Sequence, residues 1–316
     1  MDALDKPQAQ DLSQLEAKSA EVASGASALS AAARQHRTLW RDAFHRLVQN
    51  KLAVAGGIVI LIIVAMALFA SLVAPEPYAT PNFAAINQFP SSAHWLGTDE
   101  LGRDFLSRLI YGAQVSMLVG LGAQFIVLLI GVPIGAIAGY AGGKVDTALM
   151  RFVDVMYAFP SLLFVILIMA WRGPGLSNIF LAIGFTAWVT LARLTRAEFL
   201  SLREKDFVQA ARAAGAGPWR LVTRHLLPNA LTPIIVAVTF GIPQAIFTEA
   251  SLSFIGVGVP PPRPSWGQMV GQYFANVQSY WFLAVIPAVM IALVMLSFTF
   301  FGDGLRDALD PRMQRR

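Results

Sequence analysis

Apolar residues along this chain run together instead of alternating. Six stretches carry no charged side chain: Leu52 to Val73, Val115 to Ala141, Val155 to Trp171, Leu176 to Ala192, Asn229 to Thr248 and Trp281 to Phe301. A helix needs about 20 residues to cross a bilayer core of about 30 Å, and the first two and last two stretches supply that directly. Val155 to Trp171 and Leu176 to Ala192 are shorter, and the fifth run continues past Glu249 to about Val257. Membrane β-strands would show short segments of period two, so continuous runs predict an all-α membrane protein with six transmembrane helices. The first run exceeds a signal-peptide core and is expected to stay as an anchor.

Composition agrees: 56% hydrophobic against 14% charged residues, with a mean hydropathy of +0.57, lies outside the range of soluble domains. Basic residues then set the orientation, because lysine and arginine collect in cytoplasmic loops. With both termini cytoplasmic, only Arg103, Arg108, Arg172 and Arg263 of the 24 lysines and arginines fall on the outer side. That asymmetry accounts for the net charge of +5 and removes the main argument for a nucleic-acid partner. The chain has no cysteine, hence no disulfide and no thiolate chemistry.

Between the runs the polar segments differ in pattern. Residues 1–33, rich in Ala, Ser and Gln, are expected to form a frayed or disordered cytoplasmic tail, and 313–316 a second short tail. Over 34–51, Trp40, Phe44 and Leu47 recur at helical spacing beside Arg41 and Arg46, which predicts an interfacial amphipathic helix on membrane lipid. The transmembrane remainder spans 52–312. Its external loop, 74–112, holds HWLGTDELGRDFLSRL, read as a turn followed by a short helix after Asp99. The proline-rich GVPPPRPSWGQM, Gly258 to Met269, is expected to pack over the mouth of the bundle.

Candidate chemistry is sparse. GYAGGKVD lacks the first glycine of a P-loop and has Val145 where magnesium would need a hydroxyl, so no nucleotide hydrolysis is expected. His36, His45, His94 and His225 are scattered without the spacing of a metal site. Ser251 and Ser253 have no neighbouring histidine and read as packing residues. Gly131, Gly135 and Gly139 share one helical face, which predicts close helix packing, while Pro133, Pro160, Pro233, Pro243 and Pro287 predict kinks or helix starts. Glu249 is the one carboxylate inside an apolar run, a candidate pathway or gate residue; alternatively it supports packing through a neighbouring helix, Arg172 or Arg263.

FVQAARAAGAGPWRLVTRHLLPN, Phe207 to Asn229, is patterned throughout although it only joins two spans. Lys205 to Ala214 favours a helix, Gly215 and Gly217 a turn, and Pro218 the first position of a second helix. Trp219, Val222 and Leu226 are predicted to share that helix's apolar face, so the whole segment 205–228 looks like a grip for a partner.

Gln209, Ala210, Ala211, Gly215, His225, Leu227 and Pro228 have the spacing of the EAA loop of ABC importer permeases, with Gln209 in place of its glutamate and His225 in place of an isoleucine. HWLGTDELGRDFLSRLIYGAQVS, GGKVDTALMRFVDVMYAFPSLL, EASLSFIGVGVPPPRPSWG and FGDGLRDALDPR extend the match, and from about Arg41 to Arg312 the chain resembles the C-type permease of the dipeptide, oligopeptide and nickel importers. The resemblance implies the type I importer fold in a prokaryotic inner membrane. It implies a homologous B-type permease, two cytoplasmic ATPase subunits that bind ATP and Mg, and an external solute-binding protein. This chain itself would hold no cofactor. Peptides are the implied cargo, with nickel or glutathione as alternatives. An ion-coupled secondary transporter or a membrane scaffold are the readings from other classes.

Overall fold

A computed structural model describes residues 41–309. The tail of 1–33, the Trp40 end of the amphipathic segment, His36 and the C-terminal residues from 310 lie outside that range. The chain divides into a small unit, 1–50 with 307–316, and a large one, 51–306. In the small unit, residues 41–49 are helical with Phe44 68% exposed, and Gln49 bonds His45 one turn away at 2.9 Å.

In the large unit the first span is α1, Lys51–Leu68, continued after a one-residue break by a single turn, Ala70–Val73. The second is α2, Phe105–Ala141, a helix of 37 residues. Its start differs from the sequence-based expectation. Asp99 caps nothing: its carboxylate accepts from Leu101 N at 2.9 Å and Arg103 N at 3.0 Å, closing a turn on itself. The cap is Asp104, which accepts from the backbone N–H of Ser107 at 2.8 Å and from its hydroxyl at 2.7 Å. The expected short helix is therefore the first turns of α2 itself.

The third span also differs. Residues expected to form one helix are divided between α3, Gly143–Ala158, and α4, Ser161–Arg172, which meet at 81°. Pro160 disfavours helical geometry in the residue before it, and Phe159 is accordingly extended, with φ −79° and ψ 132°. Among the described residues five single helices are long and apolar enough to span a membrane, and counting this bent pair as one broken span makes six.

After α4 come α5, Leu176–Arg203, and the short α6, Asp206–Ala213. A long helix then runs from Pro218 to Phe254, its last part α7, Leu227–Phe254; α8, Trp266–Tyr273, and α9, Trp281–Leu309, complete the fold. α5 extends beyond the expected end at Ala192 and carries Arg193, Arg196 and Arg203 out of the apolar zone.

The centre is the α2–α5 contact. A Cβ on Gly131 would lie 2.8 Å from the Trp188 carbonyl, one on Gly135 2.3 Å from the Ala192 carbonyl, and one on Gly139 2.6 Å from the Phe199 Cβ. The three glycines thus bring the two backbones together as their spacing predicts, giving dispersion contact that bulkier residues would prevent. Contacting residues ascend together, so α2 and α5 run parallel, and the bent α3–α4 pair returns the chain between them.

At the end where α2 begins, Asp99 is fully buried between Arg103, at 2.7 Å, and Arg108, at 3.3 Å, and accepts from the Tyr273 hydroxyl at 3.1 Å. Burial pushes the Tyr273 phenol above its ordinary value, which keeps it a donor to that carboxylate. The proline-rich segment leads into α8, whose Trp266 is fully buried and donates its indole N–H to the Leu109 carbonyl at 2.9 Å.

Candidate functional site

At the opposite end of α2, the segment joining α5 to α7 forms the short helix expected before Gly215, but the expected second short helix, from Pro218, is instead the start of the continuous helix Pro218–Phe254. Why that spacing works is visible in the backbone. Gly215 has φ +83°, Ala216 N donates to Ala211 O at 3.0 Å, and Gly215 N donates to Arg212 O at 3.0 Å. These are the paired bonds of a Schellman cap, which needs a left-handed residue four positions after Ala211. Ala211 and Ala216, the two residues joined by the longer bond, are half-buried against the same apolar cluster. Small residues at 210 and 211 followed by glycine at 215 therefore encode a helix end that turns sharply without bulk.

Gln209 departs from the family pattern with a consequence of its own. Its amide donates to the Arg203 carbonyl at 3.1 Å, satisfying a carbonyl at the end of α5. An ionised glutamate accepts only and could not make this bond.

The second helix corrects one expectation. Trp219 does not share a face with Leu226: it is 80% exposed, whereas Leu221 and Leu226 are fully buried. Residues Leu221–Leu226 are wound as a π-turn, and Leu227 N bonds Val222 O five residues back. Winding at that pitch places residues five apart on one side, which is the Leu221–Leu226 spacing. Pro228 supplies a cause, since it has no N–H and its ring crowds the carbonyl of Arg224 four residues earlier. Leu221 and Leu226 join Val208 and Phe199 in a buried cluster, while Leu227 is half-buried against it. His225 is half-buried and its carbonyl accepts from the Asn229 amide at 2.6 Å. The outward face then presents Ala210, Arg212, Trp219, Arg220 and Arg224, with Phe207 42% exposed beside them. Tryptophan and arginine are among the residue types enriched at the hot spots of protein interfaces.

The second element is a cavity of about 890 Å³ walled by α2, α5, α7 and the α3–α4 bend. Its polar groups include Gln124, Tyr157, Thr190 and Gln244, and its lining contains no charged side chain. Beside it Arg193 pairs with Asp154 at 2.8 Å and lies 4.2 Å over the Tyr157 ring, while Arg196 grips Asp146 through two bonds of 2.5 and 2.6 Å. These pairs clasp α3 to α5. None of the lining glutamines or clasping pairs was singled out from the sequence; uncharged glutamines at 124 and 244 inside apolar runs were the available signal.

Glu249 is fully buried on α7, and the cavity lining includes its neighbours Thr248 and Ser251 but not Glu249 itself. Its Oε1 accepts from Ser253 Oγ at 2.7 Å, Ser265 Oγ bonds Ser253 Oγ at 3.3 Å, and Ser116 of α2 flanks the carboxyl. The arginine partners expected as alternatives are elsewhere: Arg172 bonds Asn178 at 3.1 Å and Arg263 lines a separate groove. Ser251 bonds the Phe247 carbonyl within its helix at 2.8 Å. Among the described residues no group of three or more His, Cys, Asp or Glu is placed to hold a metal.

Residues 131–315 match the family described as the binding-protein-dependent transport system inner membrane component, and residues 38–90 match the N-terminal TM domain of oligopeptide transport permease C. The chain belongs to this permease family. The permease is 42% identical to the oligopeptide transport system permease protein OppC of Bacillus subtilis (strain 168) over 278 residues, covering 88% of this chain and 91% of that one. It is 38% identical to the glutathione transport system permease protein GsiD of Pectobacterium atrosepticum, covering 88% and 93%. Its fold matches a chain of the MetNI methionine ABC transporter solved in inward-facing conformations, with a TM-score of 0.56 at 20% identity, over 65% of this chain and 97% of that one. The permease is thus a multi-pass membrane subunit of an ABC importer, a transport subunit from a non-catalytic family.

Proposed function

We propose that this permease, with a homologous B-type permease, forms the path by which peptides cross a prokaryotic inner membrane, driven by two cytoplasmic ATPase subunits and supplied by an external solute-binding protein. In this arrangement both termini and the Lys205–Pro228 segment face the cytoplasm, and ATP and Mg sit on the ATPases. The observation that carries the reading is the Schellman-capped helix pair, which is rigid inside, through Val208, Leu221 and Leu226, and presents Trp219 and Phe207 outside. A rigid lever with an exposed aromatic anchor is what a moving partner can grip. The ATPases closing on ATP would displace it, and the displacement would pass through α5 and α7 to the cavity between them.

A largely apolar cavity that carries two amides, several hydroxyls and no charged side chain in its lining suits the neutral backbone of a peptide better than it suits a metal cation. Glutathione, itself a peptide, is the second reading, since one relative at 38% identity is named for it. Glu249 acts in this scheme from behind the cavity wall, joining α7 to the segment before α8. Glu249→Gln is expected to leave assembly intact and alter transport; unchanged uptake kinetics removes it from the mechanism.

The decisive experiment purifies the tagged chain from its host in mild detergent, identifies co-purifying subunits and measures vanadate-sensitive ATPase activity. A second permease and ATPase chains are expected, together with uptake that needs ATP and no proton or sodium gradient. Gly215→Glu, which puts a long side chain on the cap, is expected to abolish uptake while the isolated ATPases still turn over. A single species without ATPase activity, where a control importer survives the same detergent, favours a scaffold; gradient-driven uptake favours a secondary transporter.

A further inference from the structure

A second groove, of about 390 Å³, lies where the last turn of α1 meets the first half of α2. Leu68, Leu118 and Leu121 line it and are 72%, 49% and 47% exposed, so it opens sideways. From Tyr111 to Leu121 it follows α2 for ten residues, roughly 15 Å of helix rise. At its upper end Tyr78 and Tyr111 pack ring on ring, with centroids 4.5 Å apart. Arg263 is the only charged side chain in the lining, and it takes part in no ion pair among the described residues.

We propose that this groove is a binding site for one anionic phospholipid, with its phosphate on the Arg263 guanidinium and an acyl chain along Leu68, Leu118 and Leu121. Three observations converge on that ligand. The lower part is apolar, opens sideways and can hold a portion of one acyl chain. Tyr78 and Tyr111 line the groove together with Arg263, and tyrosine is a residue type enriched where helices meet lipid headgroups. A guanidinium with no carboxylate partner matches a phosphate in charge and fork geometry. A helix of another subunit seated here would either bury that cation unpaired or have to bring its own carboxylate. The site depends only on the chain spanning a membrane, and stands or falls separately from the transport reading.

The test takes the permease with the subunits that accompany it into nanodiscs of phosphatidylcholine carrying a minor fraction of phosphatidylglycerol, and counts retained lipids by native mass spectrometry. The wild-type protein is expected to retain one phosphatidylglycerol in preference to phosphatidylcholine. Arg263→Gln is expected to weaken that retention about tenfold. Leu118→Trp fills the groove at an exposed position with Arg263 in place, and is expected to expel the lipid without disturbing the fold. Retention undiminished from wild type in either variant, or no preference for the anionic lipid, overturns the proposal. So does an electron-microscopy map of the assembly with a protein helix seated between Leu68 and Leu118.

Discussion

Gly215 and Gly217 stand two residues apart in the same turn, and neither has anything within 4 Å of where a Cβ would sit. Only their backbones differ, φ +83° against φ −71°. Gly215→Ala is therefore expected to destabilise the turn by about 1–2 kcal/mol, the cost of a left-handed L-residue, whereas Gly217→Ala is tolerated. Uptake in whole cells compares the two directly; equal effects would show that the cap conformation is not what matters. Asp99 provides a second residue-scale case. Asp99→Asn leaves Arg103 and Arg108 buried without their carboxylate, and is expected to cost about 3–5 kcal/mol, read as a fall in Tm of the detergent-solubilised protein. Tyr273→Phe removes only one neutral donor and is expected to cost about 1 kcal/mol.

Helices meet here by two different means. α2 and α5 associate through backbone proximity, so Gly135→Val, which drives side-chain atoms into the Ala192 carbonyl and Thr195, is expected to prevent stable accumulation of the protein in membranes. α3 is held to α5 by charge instead, through Arg196–Asp146 and the more exposed Arg193–Asp154. Asp146→Ala removes a bidentate clasp worth about 2 kcal/mol and is expected to release α3. Limited trypsinolysis at Arg151, on the same helix, reports this: faster cleavage is expected, and an unchanged rate would mean that the bend at Pro160 alone positions α3. The bend and the clasp act together on the cavity, since residues from both sides of the break line it.

At the scale of the whole molecule, the parallel run of α2 and α5 puts the Asp99 knot and the Gly215 turn at opposite ends of the large unit. A chain without cysteine offers a clean test of which end faces which compartment. Ala213→Cys is expected to react with an impermeant maleimide only in inside-out vesicles, and Ser91→Cys only in right-side-out cells; the reverse pattern would invert the orientation drawn from the basic residues. Both positions are exposed, so labelling reports topology and not burial.

Spans, glycine seam and the turn at Gly215 were legible in the residues because each rests on a short-range rule. An apolar run must be helical in lipid, glycines four apart must share a face, and a left-handed cap must fall at a set distance from the end of its helix. What could not be read depended on competition between neighbours that only assembly resolves. Asp99 and Asp104 are equally good caps in isolation; Asp104 takes α2 because Asp99 is claimed by two arginines and Tyr273. Trp219 lost its expected place because the turn before Pro228 widened to π pitch, which moved Leu221 inward. Glu249 was conspicuous as a lone acid, yet the serines around it come from segments far apart in sequence: Ser253 of its own helix bonds it, Ser265 before α8 bonds Ser253, and Ser116 of α2 flanks it. The sequence by itself determined a helical permease with five or six spans and a sharp glycine turn between two of them. The tertiary structure alone decided which polar groups meet, because burial, and not sequence spacing, sets the free energy of leaving one unpaired.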